Sequence, residues 1–440
     1  AYDRDNRRIR VSDNTGACLE YRYDSNNRRT CEKSRLNDTT EQVRAYTYDA
    51  AGRLTQIRQS ADEEGCGHKM TATSYEYDLN GNLIRIRLPY GGEIQRQYDE
   101  ADRLTVETHV EKTTGIHNTT RFVYDKGGNL TEVTDNLGNT VRIEYDLLDQ
   151  EIRRTEKDGG IIRRLYDRNG RLSRLVLPNE YHRLGEQAHG EQYAYDLLGR
   201  IAEITRPDGV LQARYAYDAG GYLQSTMDAC GNGIRFTYDL GGRRICAVTA
   251  AGSAQRYEYD PFGNITGVTD GEGNRTQYGL DEWGRITEIC RPDGASEYYR
   301  YDYAGNITVS VDGEGNTTRY EYGADGHMLR MTDPLGHSED YHYDAGGRLC
   351  RMTDRNGIET TYTYNLYDSP TGRRARALEE PSAILSESYE YTPEGLLKSA
   401  ISHGSVPGAP NVRTLGMRYS YEYDVMGRLT RKSASGRTLL

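Results

Sequence analysis

Two stretches of this 440-residue chain carry residues that do chemistry at close spacing, Asp270-Gly271-Glu272-Gly273-Asn274 and Asp312-Gly313-Glu314-Gly315-Asn316. Each sets two carboxylates and an amide oxygen in one tight loop, the oxygen-rich donor set that calcium takes. The same residues also make good turns without a metal. The spacing and distal Glu of an EF-hand are missing, so Asp270, Glu272, Asn274, Asp312, Glu314 and Asn316 stand only as weak calcium candidates beside a turn reading. Cys66-Gly67-His68 offers two soft ligands without partners. The seven cysteines, Cys18, Cys31, Cys66, Cys230, Cys246, Cys290 and Cys350, are odd in number and contain no C-x-x-C pair, so they build neither a disulfide framework nor a zinc site. The nine His, among them His68, His109, His117, His182, His327, His337 and His342, show no metal-binding spacing. No nucleophile elbow, phosphate loop or dinucleotide fingerprint occurs, and no carboxylate pair stands out for glycoside hydrolysis. The expectation is a protein without a catalytic set, a metal centre or a cofactor.

Composition points elsewhere. Tyr occurs 38 times and Gly 48 times against 3 Phe, 1 Trp and 11 Pro, so one aromatic type is selected over the others. Apolar residues are 35% of the chain and the mean hydropathy is −0.85, yet no low-complexity tract argues for disorder. Tyr rings must then supply much of the buried area, their hydroxyls reaching water or a partner. The net charge of −11 comes from interleaved Arg and Asp/Glu, with no basic stripe for a nucleic-acid backbone. No stretch is long and apolar enough to span a membrane. The N-terminus lacks both an initiator Met and a signal-peptide pattern, and the chain reads as a piece of a longer one.

The elements that position these residues follow from an internal repeat. Tyr-Asp pairs recur at a commonest step of about 21 residues, and degenerate units at Leu280, Tyr322, Tyr364 and Tyr391 bring the count to about nineteen. In each unit a first turn has Asp at its first position and Gly at its fourth, as in Asp125 to Gly128, Asp260 to Gly263 and Asp302 to Gly305. A second turn repeats that chemistry at Asp135 to Gly138, or with Pro as in Arg206-Pro207-Asp208-Gly209. Between turns the pattern alternates with period two, as in Tyr257-x-Tyr259 and Tyr299-x-Tyr301, so each unit is a β-hairpin. About 38 strands at roughly 4.8 Å each would extend on the order of 180 Å if flat, and strand twist makes such a sheet coil into a spiral or shell. Tyr from successive hairpins should form ladders, beside a parallel polar ladder of Arg53, Arg103, Arg200, Arg285 and Arg348, or Asn82, Asn129 and Asn306, with many of the Arg packing on Tyr faces or reaching a turn Asp.

These residues resemble the YD repeat, also called the Rhs repeat, whose Tyr-Asp-x-x-Gly-Arg-Leu pattern reads here as Tyr48-Asp49-Ala50-Ala51-Gly52-Arg53-Leu54 and Tyr423-Asp424-Val425-Met426-Gly427-Arg428-Leu429. Further repeat positions are Tyr124, Asp125 and Gly128; Tyr195, Asp196, Gly199 and Arg200; Tyr259, Asp260 and Gly263; Tyr301, Asp302 and Gly305; and Tyr343, Asp344, Gly347 and Arg348. The resemblance implies an all-β fold of tandem hairpins in one long spiralling antiparallel sheet, part of a hollow β-shell, with residues 1–440 as a single array. In bacterial Rhs and wall-associated toxins and in Tc toxin C components, that shell encloses a C-terminal toxin domain. In teneurins it belongs to an adhesion receptor.

By that resemblance the chain is a shell segment that encapsulates an effector before delivery, its partners being the C-terminal toxin domain and the remaining shell repeats. It would be secreted, displayed on a bacterial surface or delivered by a secretion apparatus. The alternative is a surface module binding a glycan or a protein, with no nucleic-acid partner and no membrane span. The bacterial families also place a Asp-Pro-x-Gly core at a self-cleavage site. Asp260-Pro261-Phe262-Gly263 and Asp333-Pro334-Leu335-Gly336 have that form but sit in ordinary turns. Insertions near 59–73, 109–119, 179–192 and 371–388 interrupt the period, and loops on repeat scaffolds are where binding resides. The insertion at 179–192 is expected to hold at most one short helical turn, because of Gly185 and Gly190.

Overall fold

A computed structural model describes residues 1–12, 18–35, 41–61, 70–89, 91–111, 116–302, 304–323, 326–344, 347–365, 368–377, 384–406, 409–434 and 437–438. Cys66-Gly67-His68 lies outside the described residues, as do the centres of the insertions at 59–73, 109–119 and 371–388. The strands form a single 38-stranded sheet, each paired antiparallel with its neighbour in the chain. The fold is therefore the expected run of hairpins in one antiparallel sheet.

One repeat shows how the sequence builds it. The strand Ala254–Tyr259 pairs with Ile265–Thr269 through Arg256↔Thr269 and Tyr257↔Val268. The register then slips between Glu258 and Tyr259. Between the strands the Gly263 N–H donates to the Asp260 carbonyl (3.1 Å), and the Asp260 N–H to the Asn264 carbonyl (2.9 Å). This is a type I turn closed by a left-handed residue, with Gly263 at φ +96°. Units that lack the turn Gly put Asn6, Asn27, Asp102, Asp149 or Asp368 there instead, at φ 59° to 63°. Asn and Asp tolerate that region best among residues with a Cβ.

All first turns lie along one long margin of the strip and all second turns along the other. The strip winds back on itself. The Asn118 side-chain amide donates to the Pro393 carbonyl (3.1 Å), and Arg428 donates to Asp158 Oδ2 (3.0 Å), joining residues 275 and 270 positions apart. About 25 strands separate these contacts, so one winding is roughly 120 Å around and, less about 5 Å of side chain on each inner face, encloses a bore on the order of 30 Å across.

Among the described residues only Cys18, Val110, Ile143, Val176 and Ala188 are buried apolar residues. Stability thus resides in contacts between adjacent hairpins, as in other quasi-one-dimensional repeats. The described flanks of three insertions are strand, and their centres lie outside the described residues. Around 59–73, 109–119 and 371–388 the strands simply run longer: Leu54–Ala61 with Met70–Tyr77, Leu104–Glu111 with Ile116–Tyr124, and Pro370–Ala377 with Ile384–Tyr391. The fourth holds more helix than expected, an α-helix over Pro178–Leu184 and a 3-10 turn over Gly185–Gln187. Pro178 starts that helix and Gly185, at φ 55°, ends it, so this glycine is a terminator and does not interrupt the helix.

Candidate functional site

The repeat residues converge on a clasp that ties each hairpin to the next. Within a first turn, Asp281 Oδ1 accepts the N–H groups of Trp283 and Arg285 (both 2.9 Å), and Oδ2 accepts Arg285 Nε at 2.7 Å. The guanidinium then crosses to the following hairpin. Arg285 Nη1 donates to the Asp302 carbonyl (2.9 Å), and the guanidinium carbon lies 4.6 Å from the Tyr301 ring centre. Tyr301 answers in the opposite direction, its hydroxyl donating to the Ile286 carbonyl at 2.6 Å.

The same clasp recurs along the chain. Arg53 binds Asp49 and lies over Tyr77, and Tyr48 donates to the Arg29 carbonyl. Arg103 lies over Tyr124, Arg200 over Tyr217 and Arg348 over Tyr364. Tyr195 donates to Leu172 and Tyr259 to the Arg244 carbonyl, while Tyr423 donates to Leu397. Gly52, Gly128, Gly199, Gly263, Gly305, Gly347 and Gly427 all take positive φ at the turn. Where Asn replaces Arg, it keeps the bond to its own Asp and reaches across differently. Asn129 binds Asp125 Oδ2 and also Asp149 Oδ1 (2.7 Å). Asn264 binds Asp260, and Asn306 binds Asp302.

Other residues stand at the Arg position in some units, among them His327 and Tyr222. His327 stands at the Arg position and faces the Tyr343 ring at 4.6 Å, and Tyr222 stacks on Tyr238 at 5.1 Å. In both units the substituted residue still covers the next Tyr ring. Asp344 binds Arg348 within its own turn. The outer Tyr of each pair has a different partner. Tyr299 and Tyr341 donate to Glu297 and Glu339 two residues earlier, both at 2.7 Å. Burial, with the nearby Glu191 carboxylate, pushes the Tyr193 phenol up to about 12, and the Tyr341 phenol is raised in the same way. These hydroxyls stay protonated donors.

The clasp geometry predicts energetic coupling between hairpins. In a double-mutant cycle of Arg285→Ala and Tyr301→Leu, read by amide exchange in Ile286–Cys290 and Ser296–Tyr301, the pair should show about 1 kcal/mol of coupling. Additive effects would show that the stack joins nothing.

The calcium candidates sit in the second turns and use their oxygens internally. Asp270 Oδ1 accepts the N–H groups of Glu272 and Asn274 (both 2.9 Å), and Oδ2 accepts the Asn274 amide (3.0 Å). Asp312 does the same with Glu314 and Asn316. N–H donors thus point at the carboxylates from which a cation would draw its ligands. Among the described residues no group of three or more His, Cys, Asp or Glu converges in a metal-holding arrangement, and no disulfide links the six described cysteines. Both Asp-Pro motifs are ordinary turns, Gly263 N–H donating to Asp260 and Gly336 N–H to Asp333 (3.0 Å).

Sequence reasoning found the clasp residues but not the seam where the windings meet. There the second-turn margin, with Leu137 and Lys157, faces the first-turn margin, with Leu396, Val425 and Met426, across a cleft of about 690 Å³. Lys157 is itself held by Asp135 at 2.7 Å. No local pattern signals this, because the contacting residues lie about twelve units apart.

The chain was then compared with known proteins. Residues 1–176, 179–317 and 223–401 match the family described as Teneurin YD-shell. A crystal structure of TcdB2-TccC3-TEV is 16% identical, with a TM-score of 0.70 over 96% of this chain and 26% of that one. A Photorhabdus luminescens Tc holotoxin pore is 17% identical, with a TM-score of 0.66 and the same coverage. TcdB2-TccC3 without its hypervariable C-terminal region is 16% identical, with a TM-score of 0.67, again over 96% of this chain and 26% of that one. The chain thus spans about a quarter of the length of those structures, and at such identity the likeness is one of fold. No curated protein matches it. No helix among the described residues is long and apolar enough to cross a membrane.

Proposed function

The chain belongs to the Teneurin YD-shell family, and from that membership we propose that it is shell wall that encloses a C-terminal toxic effector of its parent chain until delivery. The family is one of structural shells, and the work of this segment is mechanical: clasped hairpins hold a curved wall, and no step of bond chemistry is assigned to it. The observation that carries the reading is the seam, because a strip whose opposite margins meet after one winding surrounds space. A bore on the order of 30 Å across has room for a polypeptide. A similar assembly, TcdB2-TccC3, carries a hypervariable C-terminal region that one structure lacks. A shell holding a toxic cargo acts outside the cell that makes it, so the proposal includes secretion or delivery of the parent protein.

The test is cryo-electron microscopy of the full-length gene product through its native C-terminus, with limited proteolysis in parallel. Internal density and a protease-resistant C-terminal region are the expected results. An empty shell with a freely cleaved C-terminus would overturn the proposal in favour of a surface-binding module.

A further inference from the structure

The insertion that carries the α-helix lies over a group of arginines that the sheet gathers on one face. Arg153 and Arg163 stand directly opposite each other on adjacent strands. Leu165 pairs with Arg174 on the following strand, so Arg163 and Arg174 are diagonal neighbours on that same face. Like charges so placed repel one another unless an anion lies among them. The insertion supplies one. Glu186 Oε2 pairs with Arg163, and Oε1 accepts from the Tyr181 hydroxyl at 2.6 Å. The Arg153 guanidinium carbon lies 5.7 Å from the Tyr181 ring centre. The Tyr181 hydroxyl, and after it the charges of Arg163 and Arg153, hold the Glu186 carboxyl below its ordinary value. Neutralisation is nevertheless incomplete. Arg153 Nε is buried without a hydrogen-bond partner among the described residues and stands 3.9 Å from Glu144. Arg174 passes within 2.9 Å of where a Cβ on Gly190 would stand, and it forms no ion pair among the described residues. Glu180, the insertion's other helix carboxylate, is taken by the Gly190 N–H (3.1 Å).

We propose that Arg153, Arg163 and Arg174, with the Tyr181 hydroxyl, form a binding site for a small oxyanion of the phosphate class, and that Glu186 occupies it as a tethered competitor. The unmet donors select the ligand. Both Glu186 oxygens are used by Arg163 and Tyr181, which leaves Arg153 Nε and Arg174 without an acceptor, whereas a tetrahedral dianion carries the oxygens and the charge to serve all three guanidinium groups. Glu186 is also placed to leave. Its side chain is 63% exposed, and it sits between Gly185 and Gly190, which hold φ 55° and 65° without the penalty a Cβ would bring. The site lies on a face of the sheet, away from the turn margins, and rests neither on the seam nor on what the bore holds.

Isothermal titration of the 440-residue chain with inorganic phosphate, at an ionic strength held constant with chloride, tests it. One saturable site is expected. Glu186→Gln removes the competing charge and should tighten binding about tenfold, while Arg163→Gln and Arg174→Gln should each weaken it about tenfold or more. Thermal melting in chloride checks that each variant is folded. Should an arginine variant not fold, Glu186→Gln decides the matter, because it alters an exposed side chain. Absence of a saturable site in both the wild-type and the Glu186→Gln chains overturns the proposal. So does phosphate binding that Glu186→Gln leaves unchanged, which would place the anion elsewhere and leave the Glu186 pair a support for the helix alone.

Discussion

Acidification leaves this sheet intact down to about pH 4 and unfolds it steeply below, an expectation that follows from the turn carboxyls. The backbone N–H and then the guanidinium of Arg53 hold the Asp49 carboxyl below its ordinary value of 3.8. The side chain and backbone of Arg103 and of Arg171 do the same for Asp99 and Asp167. Asn274 and Asn316 lower Asp270 and Asp312, and the Arg428 backbone and side chain lower Asp424. A carboxyl whose folded value lies below its unfolded value binds fewer protons when folded. Its stabilisation is therefore complete above 3.8 and is lost as the pH falls through the lowered folded value. Each exposed carboxyl contributes little alone, but the turn recurs from Asp3 to Asp424, and neighbouring hairpins fail together when their clasps open. Urea midpoints followed by circular dichroism from neutral pH to about pH 3 provide the measurement. A midpoint unchanged at pH 3 would show that the clasps do not hold the sheet. Loss between about pH 7 and 5 would assign the dependence to histidines.

Gly190→Ala is expected to open the array at a narrow junction between two units. Gly190 has φ +65°, and an added Cβ would lie 2.6 Å from the Leu175 carbonyl oxygen and 2.9 Å from Val176 Cγ2. The carbonyl belongs to the backbone of a neighbouring strand and has no room to yield. Strain at φ and overpacking add to about 3 kcal/mol or more. The strand Leu172–Val176 meets Glu191–Tyr195 only through Arg174↔Gln192 and Leu175↔Glu191. Disruption there removes the packing of Val176 and Ala188 and the bond from the Gly190 N–H to Glu180. Gly315→Ala is the comparison. Gly315 has φ +86° with nothing within 4 Å of an added Cβ, so only the backbone term of about 1 kcal/mol remains. Limited proteolysis should cut the Gly190→Ala protein near residues 177–190 and leave the Gly315→Ala protein whole. Equal behaviour of the two would mean that the close approach at Gly190 relaxes without cost.

The hairpins were legible because their determinants are local. Asp125, Gly128 and the alternation into Ile143-Glu144-Tyr145 specify turns and strands within one unit. The clasp was half legible. Arg285 and Tyr301 were visible as ladder residues, but the direction of reach, forward by Arg and backward by the Tyr301 hydroxyl, depends on the hairpin stagger that the slip at Tyr301 sets. Asp102, Asp149 and Asp368 in the glycine position carry their own signal, since Asp and Asn are the residues that accept a left-handed backbone. How far the flanking strands reach into the insertions was not legible, because residues that continue a ladder, as Ile116 does opposite Glu111, look the same in sequence as residues that bulge.

The sequence by itself thus determined the fold class, the hairpin period, the turn chemistry and the residues of the clasp, since each rests on contacts between groups a few residues or one unit apart. Tertiary structure alone decided the curvature, the size of the bore, the seam between residues 118–158 and 392–428, and which turn side chains stay uncovered. Those follow from the accumulated twist of about 25 strands per winding. A small rotation at each strand, set by no single residue, decides which distant margins meet.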